Sequence, residues 1–168
     1  RYTEGMSNFT VPGINENDAK KLIDGLQERL TDFNDLHLIL KHVHWNVTGP
    51  SFIGVHEMID PQVEEVCVYA DAVADRIAAL GGEPIGTPAG HAEGRTPLQY
   101  DLNKADTQSH IRKLAELYTT VIERLRESLA EAGDIDPITE DIYISEAAGL
   151  EKFQWFLRAH IEDENGNI

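Results

Sequence analysis

The sequence predicts an all-α fold, a four-helix bundle with one long crossover connection that carries a short extra helix. Three observations predict it. Apolar residues recur every three or four positions in four separate runs, the period of helices with one buried face. Gly and Pro breakers divide those runs by a short link, a long connection and another short link, which is single-crossover bundle topology. No segment shows the strict apolar and polar alternation of a half-buried strand.

The first helix spans residues 15–47, with Leu22, Ile23, Leu26, Leu30, Phe33, Leu36, Leu40, Val43 and Val47 on its apolar face, and Thr48-Gly49-Pro50 ends it. The second carries Ile59, Val63, Val66, Ala70, Val73, Ile77 and Leu80 and stops at Gly81-Gly82. The Gly- and Pro-rich stretch EPIGTPAGHAEGRTP opens the crossover, with room for a short helix before about residue 103. Ile111, Leu114, Leu117, Val121, Leu125 and Leu129 mark the third helix, closed by Gly133. Ile138, Ile142, Phe153, Phe156, Leu157 and Ile161 mark the fourth. The expected organisation is an N-terminal extension over residues 1–14, the bundle over 15–165 and a C-terminal end over 166–168. Ferritin-like topology is one such arrangement and unrelated four-helix proteins are another.

A chain of 168 residues makes one domain. Its 41% hydrophobic and 26% charged residues exclude a mostly disordered or collagen-like polymer. Fourteen basic residues against thirty acidic ones give a formal charge of −16. Such a surface repels polyanions and attracts cations, so metal ions rather than nucleic acid are the expected partners. One cysteine, Cys67, excludes an intrachain disulfide and fits a reducing compartment. It reads as a small packed helix residue. No apolar run approaches the roughly 18 residues of a membrane span, and the N-terminus has no basic region followed by an apolar stretch. Neither membrane insertion nor export is expected, and the expected compartment is the cytoplasm. Met6 reads as the native start, with Arg1–Gly5 as an extension.

The candidate ligands lie on the first two helices. His44 falls near the end of the first; His56 and Asp60 sit four apart early in the second; Asp71 and Asp75 sit four apart further along it, with Glu64 close to the same stripe. Residues at i and i+4 share a face, so each pair can converge on one ion. Imidazole nitrogen with carboxylate oxygen suits iron, zinc or manganese, whereas calcium takes oxygen alone. Eleven residues at about 1.5 Å each separate Asp60 from Asp71 by roughly 16 Å, and metal bonds are about 2 Å long. A continuous helix therefore cannot close the site within one chain. A two-fold axis crossing that helix near residues 65 and 66 would bring His56 and Asp60 of one subunit opposite Asp71 and Asp75 of another. Structural roles compete at the same positions. Asp60 before Pro61 is also a helix N-cap signal. Asp71 and Asp75 also read as a solvated face, with Arg76 and Arg29 available for ion pairs, and His44 as a histidine packed on Trp45.

HVHWNVTGPSFIGVHEMID over residues 42–60, YADAVADRIAALGG over 69–82 and EKFQWFLRAHIE over 151–162 together resemble the Dps family, the twelve-subunit mini-ferritins. The resemblance runs from Phe9 to Glu162 and is closest to the actinobacterial branch. It implies a hollow homododecameric shell that oxidises Fe(II), with hydrogen peroxide ahead of oxygen, stores ferric mineral and protects DNA from oxidative damage. It implies a ferroxidase site of His44, His56 and Asp60 from one subunit with Asp71 and Asp75 from its two-fold mate. The family pattern has Glu where this chain has Asp75; a carboxylate one methylene shorter is expected to weaken a second iron position or to reach it through water. Trp45 resembles the family's site-adjacent aromatic, a radical quencher, although core packing is its expected energetic role.

The acidic segment GDIDPITED resembles the family's three-fold pore lining, with Asp136 and Asp141 as the leading candidates beside Asp134 and Glu140. The same residues also read as favourable charges at a helix N-terminus. Strong direct DNA binding is not expected, because no Lys precedes Lys20 and the chain ends EDENGNI, which leaves little counterion release to drive association. The alternatives are a nucleoid-compacting protein with a weak metal site and a divalent-metal buffer that does not oxidise iron.

Overall fold

The computed structural model describes residues 11–93 and 97–168, so most of the expected N-terminal extension lies outside the described residues. Four long helices form the bundle: α1 (Glu16–Asn46), α2 (Phe52–Ala79), α4 (Thr107–Gly133) and α5 (Pro137–Arg158). The crossover between α2 and α4 carries the short helix α3 (Pro88–Ala92), as its Gly and Pro content predicts. α1 packs along α2 and α4 along α5, and the two pairs meet through α1 with α4 and α2 with α5. The apolar stripes read from the sequence supply most of the core, among them Leu26, Phe33, Leu36, Leu40, Ile59, Val66, Val73, Ile77, Ile111, Leu114, Val121, Leu125 and Leu157, whereas Ile138, expected on the fourth stripe, is exposed in the first turn of α5.

Local chemistry sets the helix ends. The side chains of Asn15 and Asp106 accept the amides of Asp18 and Ser109, capping α1 and α4. Asp136 caps α5 by accepting the amides of Ile138 and Thr139, with Pro137 as the first helical residue. Gly81, at φ +90°, takes the left-handed conformation that stops α2.

Three expectations are corrected. First, α2 begins at Phe52, so Asp60 is inside the helix and is not its N-cap. Pro61 interrupts the ladder at a cost of about 3 kcal/mol. Complete burial of Val55 and Ile59 offsets this, at roughly 2 kcal/mol each, and Pro61 and Glu57 lie on the exposed side of the helix. Second, Cys67 is exposed, because the turn that buries Val66 points its successor outward. Third, a two-residue parallel pair, β1 (Val47–Thr48) with β2 (Ala105–Asp106), ties the α1–α2 corner to the crossover. It is too short to leave a period in the sequence. Among the described residues, no helix is long and apolar enough to cross a membrane.

Candidate metal centre

The reversal between α1 and α2 brings the last turn of one helix beside the early turns of the other. His44 Nδ1 donates to the carbonyl of His56, and His56 Nδ1 donates to the carbonyl of His44, each at 2.9 Å. The rings stack with centroids 3.6 Å apart, and Phe52 walls the far side of His56 at 5.1 Å. A carbonyl only accepts, so both Nδ1 atoms carry the hydrogen. When a metal takes Nε2, each ring is thereby already held in the matching Nδ1–H tautomer. Asp60 Oδ1 lies 3.3 Å from His44 Nδ1, so the three residues grouped by the sequence are neighbours at this reversal.

Asp71 and Asp75 are not part of it. Both are exposed on α2, and neither makes a hydrogen bond or ion pair among the described residues. The arginines that could have neutralised them are engaged elsewhere: Arg76 pairs with Asp136 at 2.6 Å and Arg29 with Asp32 at 3.1 Å. Because α2 is continuous from Phe52 to Ala79, the separation of roughly 16 Å between Asp60 and Asp71 stands. Among the described residues, no three His, Cys, Asp or Glu side chains converge to hold one ion. The single chain thus presents two separate groups of candidate ligands.

Residues 23–166 match the family model of the ferritin-like domain. The chain is 50% identical over 163 residues to the DNA protection during starvation protein of Mycolicibacterium smegmatis, covering 97% of this chain and 89% of the relative. It aligns with a solved Mycobacterium smegmatis Dps at a TM-score of 0.93 and 50% identity, over 97% of this chain and 99% of the other. DpsA14 from Streptomyces coelicolor gives a TM-score of 0.94 at 52% identity, covering 97% of each chain. The chain belongs to the Dps group of the ferritin-like family.

Beside these candidate residues stands one that sequence reading missed. Lys41 Nζ lies 3.2 Å from Asp60 Oδ1 and 5.6 Å from the centre of the Trp45 ring. It stands one turn before His44, the only signal that could have marked it. Its ammonium neutralises Asp60 and must yield when a cation binds there. Because the pair is partly exposed, it is worth at most about 1 kcal/mol. Lys41→Met is therefore expected to lower the Co(II) concentration for half-saturation by no more than about fivefold, measured by visible absorbance. Trp45 is 71% exposed, which corrects the expectation of core packing.

The acidic segment of this Dps chain divides into two kinds of residue. Asp134 and Asp141 are exposed, and Glu140 folds back over Gly133. Asp136 is buried, caps α5 and holds Arg76, so it is a structural carboxylate and not an exposed lining residue. Burial alone would raise its pKa; hydrogen bonds from Thr139 and Arg76 outweigh that and hold it below the ordinary carboxylate range. The stability it contributes is present above that ordinary value and is lost as pH falls through the lowered one. Asp136→Ala is expected to cost about 3 kcal/mol of folding stability, because it leaves Arg76 unpaired. Asp134→Asn is expected to change stability by less than about 0.5 kcal/mol. Thermal melts followed by circular dichroism compare the two.

Proposed function

We propose that this Dps chain assembles into a hollow homododecamer that oxidises Fe(II) and stores the ferric product. His44, His56 and Asp60 of one subunit would complete each ferroxidase site with Asp71 and Asp75 of a two-fold mate. The observation that carries this reading is the division of the ligands: a preorganised histidine half-site, and two unpaired carboxylates too far along the same rigid helix to reach it. Trp45, Phe52, Ile53 and Val68 expose apolar surface along the α1–α2 side of the bundle, as a face covered by a second copy would.

Iron is the substrate. Hydrogen peroxide taking one electron from each of two Fe(II) ions gives two Fe(III) and two hydroxide ions, with no hydroxyl radical released. Carboxylate oxygen is a harder ligand than imidazole and favours the ferric product, while the two Nε2 atoms hold Fe(II) on arrival. The protein supplies ligand geometry and charge and needs no covalent nucleophile. Asp75 is one methylene shorter than glutamate, so the ion nearest it is held more weakly than its neighbour. Trp45 beside the ligands is available as a sink for stray oxidising equivalents.

Asp134 and Asp141, with Glu140, are the residues proposed to draw iron through a pore between subunits. Protection of DNA follows from removing Fe(II) and peroxide together, in keeping with the name of the Mycolicibacterium smegmatis relative. Direct DNA binding is not part of the proposal, since a formal charge of −16 opposes it. The lone cysteine fits the reducing cytoplasm as the place where it works.

The test is anaerobic Fe(II) loading followed by peroxide or air, with solution mass measured on the same sample. The expected result is a twelve-subunit mass, faster oxidation by peroxide, two irons oxidised per peroxide and no spin-trapped hydroxyl radical. Iron bound without oxidation by either reagent would instead establish a metal buffer, the reading that the shorter Asp75 favours.

A further inference from the structure

Lys41 and Trp45 stand four residues apart in the last turns of α1 and share a helix face. The indole is 71% exposed and directly follows His44 in the chain. The Lys41 ammonium lies 5.6 Å from the centre of that ring, inside cation–π range, while it holds Asp60 Oδ1 at 3.2 Å. Trp155 of α5 is also exposed, with Phe156 against it at 5.3 Å, and among the described residues no cation lies over its ring. An indole that loses an electron becomes a cation. A positive charge already over its face opposes that loss, and an unpaired carboxylate nearby would favour it. Lys41 does both things at once: it places a positive charge beside Trp45 and cancels the negative one on Asp60.

We propose that Lys41 governs how readily Trp45 is oxidised: its ammonium makes the exposed indole a reluctant electron donor, so that Trp45 yields an electron only when no better donor is at hand. Lys41 keeps its proton throughout and acts on the ring through space. What this does for iron rests on the function proposed above. Two Fe(II) ions in one site supply both electrons that hydrogen peroxide takes. A site with a single Fe(II) leaves peroxide one electron short, and the shorter Asp75 favours such sites. One Fe(II), one peroxide and the Trp45 indole then give one Fe(III), two hydroxide ions and the indole radical cation. The O–O bond breaks, iron and indole each lose one electron, and the indole N–H proton passes to one hydroxide to form water. A ring that gave up its electron more easily would be consumed in competition with a second Fe(II). Lys41 holds it in reserve.

The test uses the full chain without iron. Trichloromethylperoxyl radical, generated by radiolysis, is uncharged and takes one electron from an indole more slowly than diffusion brings the two together, so its rate reports how hard the electron is to remove. Peptide mass spectrometry then gives the ratio of oxidised Trp45 to oxidised Trp155 in the same molecules. Lys41→Met and Lys41→Gln are both expected to raise that ratio about three- to fivefold, the effect of one charge at this distance in a largely exposed site. Lys41→Arg, which keeps the charge and can cover the same ring, should keep the wild-type ratio. An unchanged ratio in the two neutral variants would overturn the proposal. So would a rise in only one of them, or an equal rise in Lys41→Arg, because access to the ring and not charge would then be the cause. A shifted ratio in a chain that does not oxidise iron would reject the proposed function and leave this role of Lys41 standing. An unshifted ratio in a chain that does oxidise iron would do the reverse.

Discussion

Two separately inactive variants are expected to restore iron oxidation when co-expressed in one shell. His44→Ala/His56→Ala removes the imidazole half of each site, and Asp71→Asn/Asp75→Asn removes the carboxylate half. Each variant shell alone should lose at least about tenfold in peroxide-driven oxidation, since the remaining half cannot hold iron in place. With random pairing, half of the two-fold dimers contain one chain of each kind. One of the two sites in such a dimer takes histidines from the Asp variant and aspartates from the His variant, and is intact; the other lacks both halves. About one quarter of all sites should therefore recover. Stopped-flow absorbance on shells purified through two different tags, one on each variant, measures the recovery. If each chain built its own site, no mixture would exceed its better parent, and that result would remove the shared site from the proposal.

The bundle was legible in the sequence because burial of one helical face imposes a period that survives in the residue order. All four long runs and the Gly and Pro interruptions between them became elements of the expected type. The start of α2 was not, because Asp60-Pro61 is a strong local signal for a helix N-terminus, and local preference yields to tertiary packing once Val55 and Ile59 can be buried. The stack of His44 on His56 was not legible either. Twelve residues across a reversal share no helical period, and their contact depends on how the two helices close. Asp136, unlike Asp134, precedes a proline and caps α5, but its pairing with Arg76 from another helix was not legible in the residue order. Cys67 and Trp45 show the opposite limit. Residue type alone suggested burial, and the helical phase of each contradicts it.

One anomaly in the sequence pattern foretells a large effect on stability. Glu146 occupies a core position of α5, three residues after Tyr143 and four before Leu150. It is only 2% exposed, and neither carboxyl oxygen has a hydrogen-bond partner in the protein. Desolvation pushes its pKa up to about 9, so the folded chain keeps this carboxyl neutral. The same carboxyl helps to raise the pKa of Tyr69 and Tyr143, although burial is the larger cause for both. Between the ordinary carboxyl value of 4.5 and about 9, the unfolded chain has released a proton that the folded chain retains. Folding must take that proton up, so stability falls as pH rises across this window, by about 1.4 kcal/mol per unit. Near pH 7 the accumulated loss is about 3 kcal/mol. Glu146→Met, of similar length and unable to ionise, is expected to remove the slope and to gain about that much at pH 7. Glu146→Gln should flatten the profile equally but gain less, because its amide brings a further donor into a site with no acceptor for it. Denaturant melts at several pH values and one protein concentration measure both, the fixed concentration being needed because assembly adds to apparent stability. Parallel pH profiles for the wild-type chain and both variants would mean that Glu146 is ionised in the fold, and that a charge is tolerated where the structure shows no partner for one.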